Sequence, residues 1–199
     1  MKEKNTGKTV DVAIDYSACI SNEHCYRFLS ISKIEPERRN ILLTLPIGPR
    51  DKSTDVLSKL LCYAMKRNKI NLVYADRYFS FPGAIKVFQK FHLKYITPCQ
   101  RNPRIRKILD HMPAPFVIED YQLKDTKCNL IILQYDGRKG HAIKIAYATN
   151  LVIKDIDFIE KKIFSINSSR WKRNVFYESV RNSKITTNNL KFLHSTFRI

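Results

Sequence analysis

Acidic residues are scarce in this 199-residue chain. Asp and Glu number 18 against 36 Lys and Arg, a formal net charge of +18. Such an excess supplies the sequence-independent attraction to phosphate on which DNA binding rests. A Lys- and Asn-rich composition from an AT-rich genome would raise the charge equally, without any binding site. Long apolar runs are missing: none approaches the roughly 20 residues of a membrane span. The five cysteines, Cys19, Cys25, Cys62, Cys99 and Cys128, contain no CxxC pair. Cys19, His24 and Cys25 form the one Cys/His cluster, and it lacks the second half of a zinc site, so the reading is structural. With an odd cysteine count and no signal peptide at the start, reduced thiols in a cytoplasm are expected. There is no internal repeat, low-complexity tract or Gly/Ser linker, and the length suits one packed domain with a small insert.

Short β-branched and aromatic runs are plentiful. Leu72-Val73-Tyr74-Ala75 ends in Asp76, and a helical pattern begins at Pro82. An acidic residue at the C-terminal edge of a strand sits where open α/β sheets place their ligands, although such an Asp also serves as a turn former or helix N-cap. Asp11 to Ser17 is a second strand pattern, with Asp15 near its end. Tyr26 to Ser32 and Asn40 to Ile47 read as two more strands. Ser53 to Arg67 places Val56, Leu57, Leu60, Leu61, Ala64 and Met65 at the spacing of an amphipathic helix. A helix from about Pro82 to His92 and a strand from Lys94 to Thr97 follow. The predicted order is β-β-β-α-β-α-β, that of a ribonuclease H-like α/β core: an antiparallel meander, then parallel strands joined by crossover helices. The first and fourth strands then lie side by side, and Asp15 faces Asp76.

Two adjacent carboxylates repel each other, and a divalent cation removes the conflict. Hard oxygen ligands suit Mg²⁺ or Mn²⁺, which also take phosphate oxygens of a substrate. Two such ions about 3.5–4 Å apart serve phosphodiester chemistry by activating the attacking oxygen and stabilising the leaving one. That chemistry calls for a third acidic ligand.

From about Thr9 to Arg198 the chain resembles the DDE-type transposase domain of prokaryotic insertion sequences. Tyr74 to Ser80, followed by Ala84 to Phe88, is similar to the family's second-aspartate motif, an apolar strand, Asp-Arg-x-Phe and a helix. Val12 to Asp15 resembles the first-aspartate strand, and Lys94 to Pro98 the strand after the second. Tyr147-Ala148-Thr149-Asn150 looks like the piece before the last catalytic helix, and Ser169-Arg170-Trp171 like the start of that helix. The resemblance implies Asp15 and Asp76 as metal ligands, Mg²⁺ or Mn²⁺ as cofactor, and a β-rich insertion over 113–150 between a first core part, 1–112, and completing C-terminal helices, 151–199. It also implies double-stranded DNA, transposon ends and target, as partner, with a homodimer forming on it. Family members usually carry a further N-terminal domain that reads the transposon end; only about ten polar residues precede the first strand pattern here, so that domain is expected to be missing.

The match breaks at the third acid. The family's glutamate follows the tryptophan by three positions, and here that position is Asn174. Asn167 takes a tyrosine position, Arg170 and Arg181 take the basic positions, and Tyr177 and Thr187 fit the spacing. An Asn offers a neutral carbonyl oxygen but no negative charge. Glu178, one helical turn on and on the same face, would substitute only if the helix slid or turned; its other reading is a solvated helix residue. Basic residues bunch at Arg101, Arg104, Arg106 and Lys107, and again at Lys161, Lys162, Arg170, Lys172 and Arg173. With Arg77 and Arg181 they are the candidate DNA contacts, against the reading of a solvated face. Trp171 would stack on an unpaired base or pack in a core. The sequence-based expectation is a DDE transposase domain, in a fragmentary or degenerate copy, that is prokaryotic, cytoplasmic and DNA-associated. Its alternatives are a nuclease of the same fold without strand transfer and a non-catalytic basic DNA-binding protein.

Overall fold

The computed structural model describes residues 9–21, 24–35, 39–136 and 141–164, a mixed α/β architecture around one eight-stranded sheet. In chain order it contains β1 (Thr9–Ser21), β2 (His24–Ile34), β3 (Arg39–Ile47), α1 (Ser53–Arg67), β4 (Lys69–Ala75), α2 (Pro82–Lys90), β5 (Lys94–Pro98), α3 (Pro103–His111), β6 (Phe116–Leu123), β7 (Thr126–Asp136) and β8 (Ala142–Thr149). A further helix, α4, covers residues 156–164. Across the sheet the order is β3-β2-β1-β4-β5-β8-β7-β6. The first three strands form an antiparallel meander, while β4 joins β1, and β5 joins β4, in parallel. Parallel neighbours need a crossover, and α1 and α2 provide the two crossovers. The first and fourth strands are thus adjacent, as their sequence pattern requires.

Alternation along the strands sorts the side chains into two layers. Val10, Val12 and Ile14 of β1 and Val73 and Ala75 of β4 share a core with α1 (Leu57, Leu60, Leu61), α2 (Ile85, Phe88) and α3 (Ile105, Leu109). The opposite face gathers Leu72, Tyr74, Ile96, Ile131, Leu133 and Tyr147 under Ile159 and Ile163 of α4. Residues 72 to 75 of β4 are all buried, as expected of a central strand covered on both sides.

Several expectations need correction. Met65 belongs to no buried stripe: it is 37% exposed, because 56, 57, 60, 61 and 64 already fill the width of α1 that meets the sheet. α2 stops at Lys90 rather than His92, since His92 takes a φ of 52° as the chain turns toward β5. The pattern Lys124-Asp125-Thr126-Lys127 reads in sequence as one turn, yet Thr126 and Lys127 already belong to β7, and the turn before it is Lys124-Asp125, with Lys124 at φ 55°. The basic run at 101–107 enters a helix, α3, where the sequence pattern suggests only a charged surface. Asn102 caps α3 by accepting from the Ile105 N–H at 3.0 Å, and Pro103 occupies a first-turn position where its missing N–H costs nothing.

The β-rich segment continues the same sheet. β8 pairs antiparallel with β5 through Ile96↔Thr149, Thr97↔Ala148 and Pro98↔Tyr147. Thr149 and Asn150 secure this seam. The buried Thr149 hydroxyl donates to the Tyr95 carbonyl at 2.6 Å and accepts from the Leu151 N–H at 3.1 Å. Asn150 accepts from the Tyr95 N–H and donates to the Leu93 carbonyl. At the outer strands the ladders are irregular. The β2–β3 register shifts between Ile31 and Ser32, β3 contains Pro46, and the β6–β7 register shifts between Ile118 and Tyr121, with Asp120 at φ 51°.

Buried thiols give the fold a pH dependence. Burial, with the neighbouring Cys128, pushes the Cys99 thiol up to about 12, and burial pushes Cys128 up to about 11, both from an ordinary 9.0. Between 9.0 and those values the unfolded chain loses protons that the folded chain keeps. The contribution is therefore complete below an unfolded value of 9.0 and fades as the pH rises toward about 12. The buried Tyr74 and Tyr95 hydroxyls are raised as well and act in the same direction. The urea midpoint should be lower at about pH 10.5 than at about pH 8. A midpoint that stays level or rises over that interval contradicts the burial of these groups.

Candidate active site

The β1–β4 pairing decides where the two predicted aspartates meet. The parallel register runs Val12↔Val73, Ala13↔Tyr74, Ile14↔Ala75. One step further the Asp76 N–H still donates to the Ile14 carbonyl at 2.9 Å, so Asp15 and Asp76 occupy matching positions. Asp76 lies just past the end of β4, whereas Asp15 sits midway along β1, which runs on to Ser21 rather than ending near Ser17. Ile14 and Ala75 point into the α1–α2 core. By strand alternation, Asp15 and Asp76 both emerge on the other face, the one α4 covers.

The two carboxylates have different surroundings. Asp15 is 4% exposed and pairs across β2 with Ser30, also buried. Ser32, two residues along β2, is buried with a hydroxyl that has no hydrogen-bond partner among the described residues. Asp76 is half-buried. Its Oδ1 accepts from the Arg77 N–H at 2.5 Å, capping a single 3₁₀ turn, Arg77–Phe79. The turn-capping reading of this residue is therefore realised, and it uses one of the two carboxylate oxygens. Thr97 on β5 donates to the Asp76 carbonyl at 2.9 Å, and Ser80 closes the turn by donating to the Arg77 carbonyl and accepting from the Gln100 N–H. Near the start of β1, Asp11 accepts from Asn71 and forms an ion pair with Lys162 of α4 at 3.2 Å. Burial, then the Asp11 charge, raises the pKa of the adjacent Tyr74 hydroxyl.

The remaining predicted residues divide three ways. Arg77 is exposed directly beside Asp76. Arg101, Arg104, Arg106 and Lys107 are all exposed, and Arg101 donates to the Lys144 carbonyl at 2.8 Å. α3 buries Ile105 and Leu109 in the α1–α2 layer, so this bunch belongs to the layer opposite the carboxylate face. Lys161 and Lys162 lie on α4, on the carboxylate side of the sheet. Asn167, Arg170, Trp171, Lys172, Arg173, Asn174, Tyr177, Glu178, Arg181 and Thr187 lie outside the described residues.

Sequence reasoning missed the supporting residues. Tyr16 and Tyr78 stack with ring centroids 4.0 Å apart and planes 10° from parallel. The Tyr78 hydroxyl lies 2.7 Å from Ser53 Oγ at the start of α1. The legible signal is an aromatic residue one position after one aspartate and two after the other.

Two aligned carboxylates supply hard oxygen donors of the kind Mg²⁺ or Mn²⁺ accepts. They fit part of such a site. Among the described residues no group of three or more His, Cys, Asp and Glu gathers to complete it.

No protein-family model matches the chain, and no curated protein matches it in sequence. Among solved structures it is similar to the crystal structure of Endonuclease V from Bacillus subtilis, with a TM-score of 0.41 and 10% identity over 74% of this chain and 67% of that one. A likeness this slight carries nothing about activity. No helix among the described residues is long and apolar enough to cross a membrane.

Proposed function

We propose that this chain is the ribonuclease H-like domain of a DDE-type transposase, in a degenerate copy whose third acidic position holds Asn174. The observation that carries the reading is the β1–β4 register, which places Asp15 and Asp76 side by side on one face. Three features support it. The order β3-β2-β1-β4-β5 is the one the motifs demand. α4 covers the carboxylate face and leads into the segment that carries Asn174. The net charge of +18 suits a DNA substrate. Asp15 and Asp76 would hold Mg²⁺ or Mn²⁺, an ion that activates water and neutralises phosphate charge in phosphodiester cleavage. The chain's own residues fix the geometry: Thr97 and the Ile14 carbonyl hold the Asp76 backbone, and the Arg77 N–H orients its carboxylate.

Asn174 favours one rival, a basic DNA-binding protein on this fold without catalysis. Duplex binding that weakens with salt is common to both readings and does not separate them. A Mn²⁺ titration does. The unmodified chain should bind Mn²⁺ saturably, and Asp15→Asn or Asp76→Asn should each weaken that binding at least about tenfold. Absence of binding, or binding indifferent to both substitutions, leaves the non-catalytic module as the reading.

A further inference from the structure

Asp76 sits where strand support runs out. β4 ends at Ala75, and beyond it the backbone of Asp76 is held by its N–H bond to Ile14 and by Thr97 before the chain enters the 3₁₀ turn. Turns at strand ends open locally more readily than the ladder behind them. A carboxylate pair needs the opposite, since small displacements spoil paired-acid geometry.

The Tyr16–Tyr78 stack spans this weak point from behind. Tyr16 follows Asp15 directly, so it projects to the other face of the sheet, and it packs against the α1–α2 core. Tyr78 lies within the turn that Asp76 caps. Besides its stacked contact with Tyr16, the Tyr78 ring meets Phe79 edge-on at 5.3 Å and Phe81 at 6.2 Å. Its hydroxyl reaches Ser53 of α1. One ring thereby ties the Asp76 turn to β1, α1 and the entry to α2. We propose that the Tyr16–Tyr78 stack is a positioning device that holds the Asp76 turn in register with the β1 backbone carrying Asp15. This inference rests on the assignment of Asp15 and Asp76 as the acidic pair.

Amide hydrogen exchange reads the register without any metal. In Tyr78→Leu, protection of the Asp76 amide relative to the Val73 amide should fall roughly three- to tenfold, and in Tyr78→Phe, which keeps the stack, it should stay within about twofold. Tyr16→Leu removes the same stack from the β1 side and should give the same local pattern. Ile105→Ala, remote on α3, controls for general destabilisation and should leave the Asp76-to-Val73 ratio unchanged. Unaltered Asp76 protection in both leucine variants overturns the proposal, as does an equal change in Ile105→Ala. Mn²⁺ binding on the same proteins tests the functional sense of the stack. It should weaken roughly three- to tenfold in Tyr78→Leu and recover in Tyr78→Phe. If Asp15→Asn does not alter the Mn²⁺ binding of the unmodified chain, the acidic pair itself is misassigned and the proposal falls with it, whatever exchange reports.

Discussion

On the proposed transposase reading, the unmodified chain supplied with Mg²⁺ and DNA bearing transposon ends should show little or no cleavage or strand transfer. The reason is Asn174. Two carboxylates and one neutral amide offer a divalent ion less negative charge than three carboxylates, so the ion is held weakly and phosphate charge is poorly neutralised. Removing a single electrostatic stabiliser of a transition state typically slows chemistry about 10²–10³-fold. Asn174→Glu should strengthen Mn²⁺ binding at least about tenfold, since even outer-shell substitutions change metal affinity on that scale. It should also restore measurable cleavage of DNA bearing transposon ends. The competing arrangement uses Glu178 as third ligand, in which case the unmodified chain is active and Glu178→Gln abolishes the activity. Robust cleavage that survives Glu178→Gln would defeat both accounts and place the active site elsewhere.

The largest stability effect should come from Phe88→Ala. Phe88 on α2 and Tyr95 on β5 are fully buried, with ring centroids 5.4 Å apart and planes 27° from parallel. Truncating a buried Phe removes its transfer free energy and leaves a cavity, together about 3–5 kcal/mol. For a chain of this size that corresponds to a fall in Tm of about 10 °C or more. Tyr95→Phe should behave differently. The Tyr95 hydroxyl is buried without a hydrogen-bond partner among the described residues, so its deletion removes an uncompensated polar atom and should be neutral or stabilising. Urea unfolding followed by circular dichroism measures both. A Phe88→Ala loss below about 1 kcal/mol would mean that α2 does not pack on the sheet as described.

The strands that carry Asp15 and Asp76 were legible because half-buried and central strands leave compact β-branched signatures bounded by turns. α1 was legible through its 3.6-residue period. α3 has a readable start, Asn102-Pro103, and an apolar spacing of Ile105, Ile108 and Leu109, but the dense charge around these three masks the buried face. α4 also announced itself weakly. Asp155 accepts from the Phe158 N–H at its start, and Ile156, Ile159 and Ile163 recur on one side. The seam between β5 and β8 was not readable, because strands about fifty residues apart declare no partner in their own composition. The same holds for the Tyr16–Tyr78 stack, a contact across 62 positions. Asn174, on which the proposed loss of activity rests, is legible only in sequence, since it lies outside the described residues.

The irregular outer ladders carry a consequence for how the protein behaves among its own copies. A sheet with open borders invites a neighbouring chain to add a strand, and from there to fibrils. Here one border strand, β3, includes Pro46, which has no N–H to offer an incoming strand, and its ladder is already out of step near Ser32. The other, β6, is kinked at Asp120, where φ is 51° and the pairing slips. Neither rim offers a straight, uninterrupted rail of donors and acceptors. Among the described residues the sheet thus ends at eight strands, and its rims are guarded against self-templated growth.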